Sequence, residues 1–417
     1  MKLLLFSLLL TSFCICFNAQ AQNCATEQFP KSCNNCSSEK LLLEDEAKFQ
    51  AFIENDKNNI TFRAAPIIPV VFHIVYNKPS QDFTDAQVQK QLDILNRDFA
   101  RLNPDTVKTP SVWKSIASDG GVQFCLAKRD PFGNATTGII HTRTNVTDLA
   151  NLNSVKSSAS GGDDIWNAKR YLNIWVTYID QNTFGYSTFP TDLAQYPQID
   201  GIVINSKAFS INDSNFIKRN LGRTLTHEVG HWLNLFHTFG TDIGVKCSTD
   251  FVDDTPPQQF VTKPDTCYTF PHFDDCSFGG NGTMFMNYMN YIADSCYNMF
   301  TTGQKTRMLA ALQMYRSEIL TQTTTCNLVG TNNINELIEL NVFPNPTYSG
   351  SVNIEVNTSA SEIADIFICD GMGRTINQKL KVSLQNVPIS FNNLSTGYYL
   401  VRVKTQNGLT TKSFIVL

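Results

Sequence analysis

The spacing of apolar positions changes character several times along this chain. Lys2 is followed by an almost unbroken apolar run to Phe17 and then Ala19-Gln-Ala21, the layout of an export signal occupying residues 1–21. Leu41 to Asn55 mixes acidic and apolar residues in a helix-like stretch. Ile68-Pro-Val-Val-Phe-His-Ile-Val-Tyr76 is dense in β-branched and aromatic residues and predicts a strand. Within Asp82–Leu102, Val88, Leu92, Leu95 and Phe99 recur at helical spacing behind Thr84-Asp85, a capping start. Tyr171–Tyr178 and Ile202–Asn205 are again β-like, so the central region predicts a sheet backed by helices. After Cys326 the chain turns Asn- and Thr-rich, and from about residue 338 short alternating strands appear (Val352–Val356, Ala364–Cys369, Tyr398–Lys404, Ser413–Val416). Asp370-Gly371 and Asn407-Gly408 separate them as turns, the pattern of a small all-β sandwich.

Composition narrows the class. The chain has 417 residues, 42% hydrophobic and 17% charged, which is globular and larger than one ordinary core. A net charge of −4 gives no footprint for nucleic acid. No run beyond the signal approaches the 18 or more apolar residues of a bilayer span, so the exported protein should not cross a membrane.

The chemistry is concentrated in residues 227–237, His-Glu-Val-Gly-His-Trp-Leu-Asn-Leu-Phe-His. On a helix, residues four apart share a face about 5–6 Å apart, so His227 and His231 can present imidazoles to one zinc ion. His237 would complete three protein ligands and leave a fourth position open, the ligand count of a catalytic zinc site. Glu228 projects beside them as a general base toward water. The third histidine requires a sharp turn, and Asn234, which tolerates left-handed geometry better than other non-glycine residues, stands where it occurs.

Downstream, Asn287-Tyr-Met-Asn-Tyr291 makes the resemblance specific: together with the histidine motif, it resembles the metzincins, and within them the pappalysin family. Ile68–Tyr76, Leu172-Asn-Ile-Trp-Val176 and Asp253-Asp-Thr-Pro-Pro257 fit the same family, over roughly residues 66–322. The resemblance implies an α+β catalytic domain with a mixed sheet over the zinc helix and a final helix at Met308–Leu320. It further implies Met289 as a floor beneath the imidazoles, Tyr291 as oxyanion stabiliser, and peptide or protein substrates. A zinc-bearing binding or adhesion protein, disabled through the change to Asn234, is the alternative.

The cysteines add architecture. Cys247, Cys267, Cys276 and Cys296 lie in a loop-rich stretch of an exported chain, where disulfides are expected over a second zinc site; the family pairing is Cys247 to Cys276 and Cys267 to Cys296. Cys125, Cys326 and Cys369 remain unassigned. Asp253 and Asp254 suit calcium, as in pappalysins, or a solvated turn. Residues 22–62, with few core candidates, read as a pro-segment. Its Cys24 resembles the cysteine that holds such precursors latent, with Cys33 and Cys36 as rivals, and Arg63 marks a processing point. A catalytic domain at 63–326, a linker at 327–337 and the sandwich at 338–417 complete the organisation. Phe343-Pro-Asn-Pro346, Leu394–Val403 and the end Thr411–Leu417 resemble the type A sorting domain of type IX secretion, which implies that export machinery as partner; a carbohydrate- or protein-binding sandwich is the rival.

Overall fold

The computed structural model describes residues 38–417 apart from 57–59, 61, 63, 148, 150–152, 180–182, 211–217, 241–246, 261–265, 278, 322–325, 327–338, 349, 358–361, 371–373, 385–387 and 405–408. The export signal, Cys24, Cys33, Cys36, Arg63 and the 327–337 linker therefore lie outside the described residues. The chain divides into two compact units, Met1–Cys326 and Asn327–Leu417.

The first unit runs α1 (Ser38–Asp56), β1 (Ile67–Tyr76), α2 (Asp85–Phe99), β2 (Ala117–Ser118), β3 (Gln123–Leu126), β4 (Ile139–Arg143), β5 (Leu172–Thr177), β6 (Gly185–Ser187), β7 (Ile202–Asn205), α3 (Arg223–Trp232), β8 (Phe300–Thr301) and α4 (Thr302–Tyr315). Its main sheet has the order β3-β1-β5-β7-β6, with β4 beside the second half of β1. All neighbours are parallel except β6, which joins β7 antiparallel at the edge. β1 is central and its middle residues are buried on both faces, which is why its sequence is nearly continuous apolar rather than alternating.

Helix α2 starts at a reciprocal cap, in which Gln87 N donates to Thr84 Oγ1 while Thr84 N donates to the Gln87 side chain. Its Val88, Leu92, Leu95 and Phe99 are buried in the core as the spacing required. Helix α4 begins at Thr302, six residues before the expected Met308. Thr301 caps it reciprocally with Gln304, and the apolar run Met308–Leu312 is only its buried middle. It stops at Tyr315, and a short 3₁₀ turn covers Ser317–Thr321.

A second departure concerns α1. The expectation of few core candidates there is corrected by Phe49, which is completely buried in the main core, with Phe52 and Ile53 packed against it. The acidic residues around them mask this face in a composition count.

The second unit holds β9 (Glu339–Phe343), β10 (Val352–Asn357), β11 (Glu362–Asp370), β12 (Thr375–Leu384), β13 (Ile389–Phe391), β14 (Gly397–Lys404) and β15 (Leu409–Val416). Two antiparallel sheets, β13-β10-β9 and β12-β11-β14-β15, share a core built on Val352, Ile354, Ile366, Ile368, Val401, Val403 and Phe414. β12 escapes a hydrophobicity reading because it is an edge strand whose Ile376 and Leu380 face outward.

Candidate metal centre

Helix α3 is buried along its whole length, so its polar residues need partners. Arg223, in its first turn, donates to Asp105, to the Tyr297 carbonyl and to the Asp294 carbonyl. One turn on, Thr226 donates to Asp98 at 2.9 Å. These bonds fix the rotation of the helix, and that rotation carries His227 and His231 to one side of it.

The chain then reverses. Asn234 has φ 74°, the left-handed conformation expected of it, and Leu235 N closes the turn on the Gly230 carbonyl at 2.9 Å. The reversal returns His237 to the first two histidines. The Nε2 atoms stand 3.2 Å (His227 to His237), 3.2 Å (His231 to His227) and 3.1 Å (His231 to His237) apart. Among the described residues this is the one group of three such side chains able to share an ion.

The protonation pattern favours a cation. His227 Nδ1 donates to the Tyr288 carbonyl at 2.7 Å and His231 Nδ1 to the Leu235 carbonyl at 2.8 Å, which leaves both Nε2 atoms as lone-pair acceptors. Burial, and then the neighbouring His237, push both imidazoles well below the ordinary histidine pKa, so they stay neutral and ready to ligate. The two lone pairs of His227 and His231 face one another at 3.2 Å and repel unless a cation lies between them. A tetrahedral metal with bonds of about 2.0–2.1 Å has a nitrogen–nitrogen edge of about 3.3–3.4 Å, close to that spacing. The donor set therefore fits a metal.

Glu228 is fully buried. Gly185 on β6 passes so close that a Cβ there would stand 3.0 Å from Glu228 Cγ. The sequence offers no hint of that pairing, because the two residues are 43 positions apart and meet only through the sheet edge. Tyr291 lies against the cluster, its ring centroid 4.7 Å from His237 and 5.7 Å from His227. Met289 packs against α3 at Gly230, and a side chain at 230 would overlap its sulfur. His227, Glu228, His231, His237, Met289 and Tyr291 thus come together in one buried place.

Other expected positions lie elsewhere. Asp254 accepts from Thr301 Oγ1 at 2.5 Å and from Gly303 N at 2.8 Å, so its carboxylate caps α4, while Asp253 is exposed. Cys247 is bonded to Cys276 and Cys267 to Cys296. A third bridge joins Cys125 to Cys326, two residues left unassigned from the sequence, and Cys369 is a buried free thiol of the second unit. Both members of the third bridge fall in the first unit, a signal that the domain division carries but the cysteine spacing does not. His73 is a packed core histidine, bonded to Asp163 and Asn173 and stacked on Trp175. Arg307 is fully buried behind the Asn234 turn, although in the sequence it closes the polar run Thr302–Arg307 that opens α4 and reads as part of a solvated first turn.

Comparison with known proteins agrees with this centre. Residues 157–313 match the family described as pregnancy-associated plasma protein-A, the pappalysin peptidases, and residues 341–417 match the secretion system C-terminal sorting domain. An extracellular metalloprotease of Verticillium alfalfae is 30% identical over 263 residues, covering 60% of this chain and 79% of the relative. Mature mirolysin of Tannerella forsythia, solved with a cleaved peptide, is 42% identical with a TM-score of 0.60, covering 63% of this chain and 98% of that one. A promirolysin from the same organism, carrying a glutamate-to-alanine substitution, is 37% identical with a TM-score of 0.63, covering 72% and 97%. With two histidines on a buried helix, a third returned to them by the Asn234 turn, and a β-sandwich at the C-terminus, this chain belongs to the pappalysin family of secreted metalloproteases and carries a type IX sorting domain.

Proposed function

We propose that the protein is a zinc-dependent endopeptidase, made as a latent precursor, in which His227, His231 and His237 hold the zinc. The observation that carries this reading is the convergence of three imidazole Nε2 atoms within 3.2 Å of one another, immediately beside a buried glutamate. When bound, zinc supplies Lewis acidity toward water and the scissile carbonyl. Glu228 takes the proton from the attacking water and returns it to the leaving amine. The Tyr291 phenol donates to the oxyanion as the carbonyl becomes tetrahedral, and Met289 supports the imidazoles from beneath.

Latency is assigned to Cys24, whose thiolate would fill the open ligand position. The mature mirolysin match covers 63% of this chain and the promirolysin match 72%, a difference in keeping with a removable N-terminal segment. Calcium is not part of the proposal, because Asp254 is already committed to Thr301 and Gly303.

The test is metal analysis coupled to peptide hydrolysis. One zinc per chain, activity abolished by chelation and restored by zinc, is expected; full activity in metal-free protein would end the reading. For latency, Cys24→Ala should give a precursor that matures early. A Cys24→Ala precursor as inactive as the parent, with activity released by substitution of Cys33 or Cys36, would move the switch to that cysteine.

A further inference from the structure

Arg307 of α4 and Glu46 of α1 are both buried, and they form a two-pronged ion pair. Arg307 Nη1 donates to Glu46 Oε1 at 2.5 Å and Nη2 to Oε2 at 2.6 Å. The third edge of the guanidinium, Nε, donates to the Asn234 carbonyl at 2.6 Å. Its flat faces lie near Phe49 and Phe236, at 4.9 and 5.2 Å. A rigid fork held on all sides transmits position, because moving one edge moves the others.

The far end of this relay is the turn that builds the metal centre. Asn234 holds the left-handed φ of 74° between His231 and His237, and the next carbonyl, that of Leu235, accepts from His231 Nδ1. Glu46 supplies the carboxylate that neutralises Arg307, and it does so from the segment read as removable. Asp250, held by Thr255 Oγ1 at 2.7 Å and Val252 N at 3.2 Å, is the other buried acid that interacts electrostatically with Arg307.

We propose that Glu46 is a positioning residue for His237, acting through Arg307 on the Asn234 turn, so that α1 sets how tightly the precursor holds its metal and its removal loosens that hold. The inference rests on the zinc and pro-segment readings above. Loss of Glu46 would leave a buried guanidinium short of a counter-charge, and the turn would shift to relieve it.

The test uses the full chain carrying Glu228→Ala, which blocks self-cleavage, loaded with zinc. Zinc release to a chromophoric chelator is timed and the thermal midpoint recorded for the background, Glu46→Gln, Glu46→Asp and Phe52→Ala. Glu46→Gln should release zinc about 10-fold faster or more, the scale of other residues that orient metal ligands, with Glu46→Asp partly restoring the slow rate. Phe52→Ala, which loosens the packing of α1 against the core but keeps the charge pair and the rings around it, should lower the midpoint with little change in release. Release from Glu46→Gln at the background rate would overturn the proposal, as would equal acceleration by Phe52→Ala. Should Glu46→Gln fail to fold, Glu46→Asp carries the test: its shorter carboxylate cannot hold both prongs of Arg307, so zinc release should exceed the background rate, and release at the background rate would overturn the proposal. A background protein that binds no zinc would instead count against the metal reading itself.

Discussion

Met289 occupies the space that a side chain at residue 230 would need. Gly230 lies in the last turn of α3, between His227 and His231, and a Cβ there would run into the Met289 sulfur. Methionine reaches the helix surface because that one position is bare. Gly230→Ala should therefore displace Met289 and cost about 1–3 kcal/mol by overpacking, with weaker zinc binding. Shortening the partner in a Gly230→Ala/Met289→Ala pair should recover part of the zinc affinity. Thermal melts and zinc titration of the three variants check this; additive losses in the pair would mean the two residues do not share one space.

Glu228 separates binding from turnover. Glu228→Ala should keep zinc, since the three histidines remain, and should lose at least about 10²-fold in peptide hydrolysis, the usual worth of a positioned base. Zinc content and single-turnover rates decide it, and parent-like turnover would remove the glutamate from the reaction. Gly185→Val, which crowds Glu228 from the sheet edge, should lower the rate in the same direction without loss of metal.

Lys156 makes the stability of the first unit rise with pH between about 7 and 10.5. It is buried against Trp175 and Tyr186, its ammonium 5.4 and 5.5 Å from their ring centroids, and donates to the Ile199 carbonyl. Burial, opposed by Asp200, pulls its pKa down to about 7 from 10.5. A depressed lysine pKa means the unfolded chain binds the proton more tightly, so stability linked to Lys156 is present above about 10.5 and lost as pH falls toward about 7. Each unit is worth about 1.4 kcal/mol. Lys156→Met should then gain on the parent progressively as pH drops from 10 to 7, read from denaturant midpoints. A parent that gains on the variant over that range would show that the charged lysine is the favoured form.

The sorting module should be dispensable for chemistry. Its core is built within residues 340–416, and the metal centre draws only on the first unit. Removal of residues 338–417 should leave peptide hydrolysis nearly unchanged while export stops, with the truncated protein retained in the periplasm of a host that has the type IX machinery. Normal export of the truncation would argue for a substrate-binding sandwich instead.

Much of this arrangement was legible in the sequence because its signals are local. The eleven residues from His227 to His237 carry their own helix, turn and donors, and Asn234 adopts the conformation its residue type favours. The spacing of Val88, Leu92, Leu95 and Phe99 marked α2 for the same reason. What stayed hidden depends on contacts between distant segments. Gly185 meets Glu228 only because β6 pairs with β7, and Glu46 meets Arg307 across 261 residues. Phe49 was lost among acidic neighbours, and β12 among polar residues of an exposed edge. A pattern of residue types records burial within one element, but not which other element does the burying.

The Cys125–Cys326 bridge closes a covalent ring spanning 201 positions of sequence, and every residue assigned to the metal centre lies inside it. A protease released among other proteases will suffer nicks in its surface loops. A cut within that ring opens it without dividing the molecule, because both fragments stay joined through sulfur. Damage of that kind would go unseen on a non-reducing gel and would separate into two bands only after reduction.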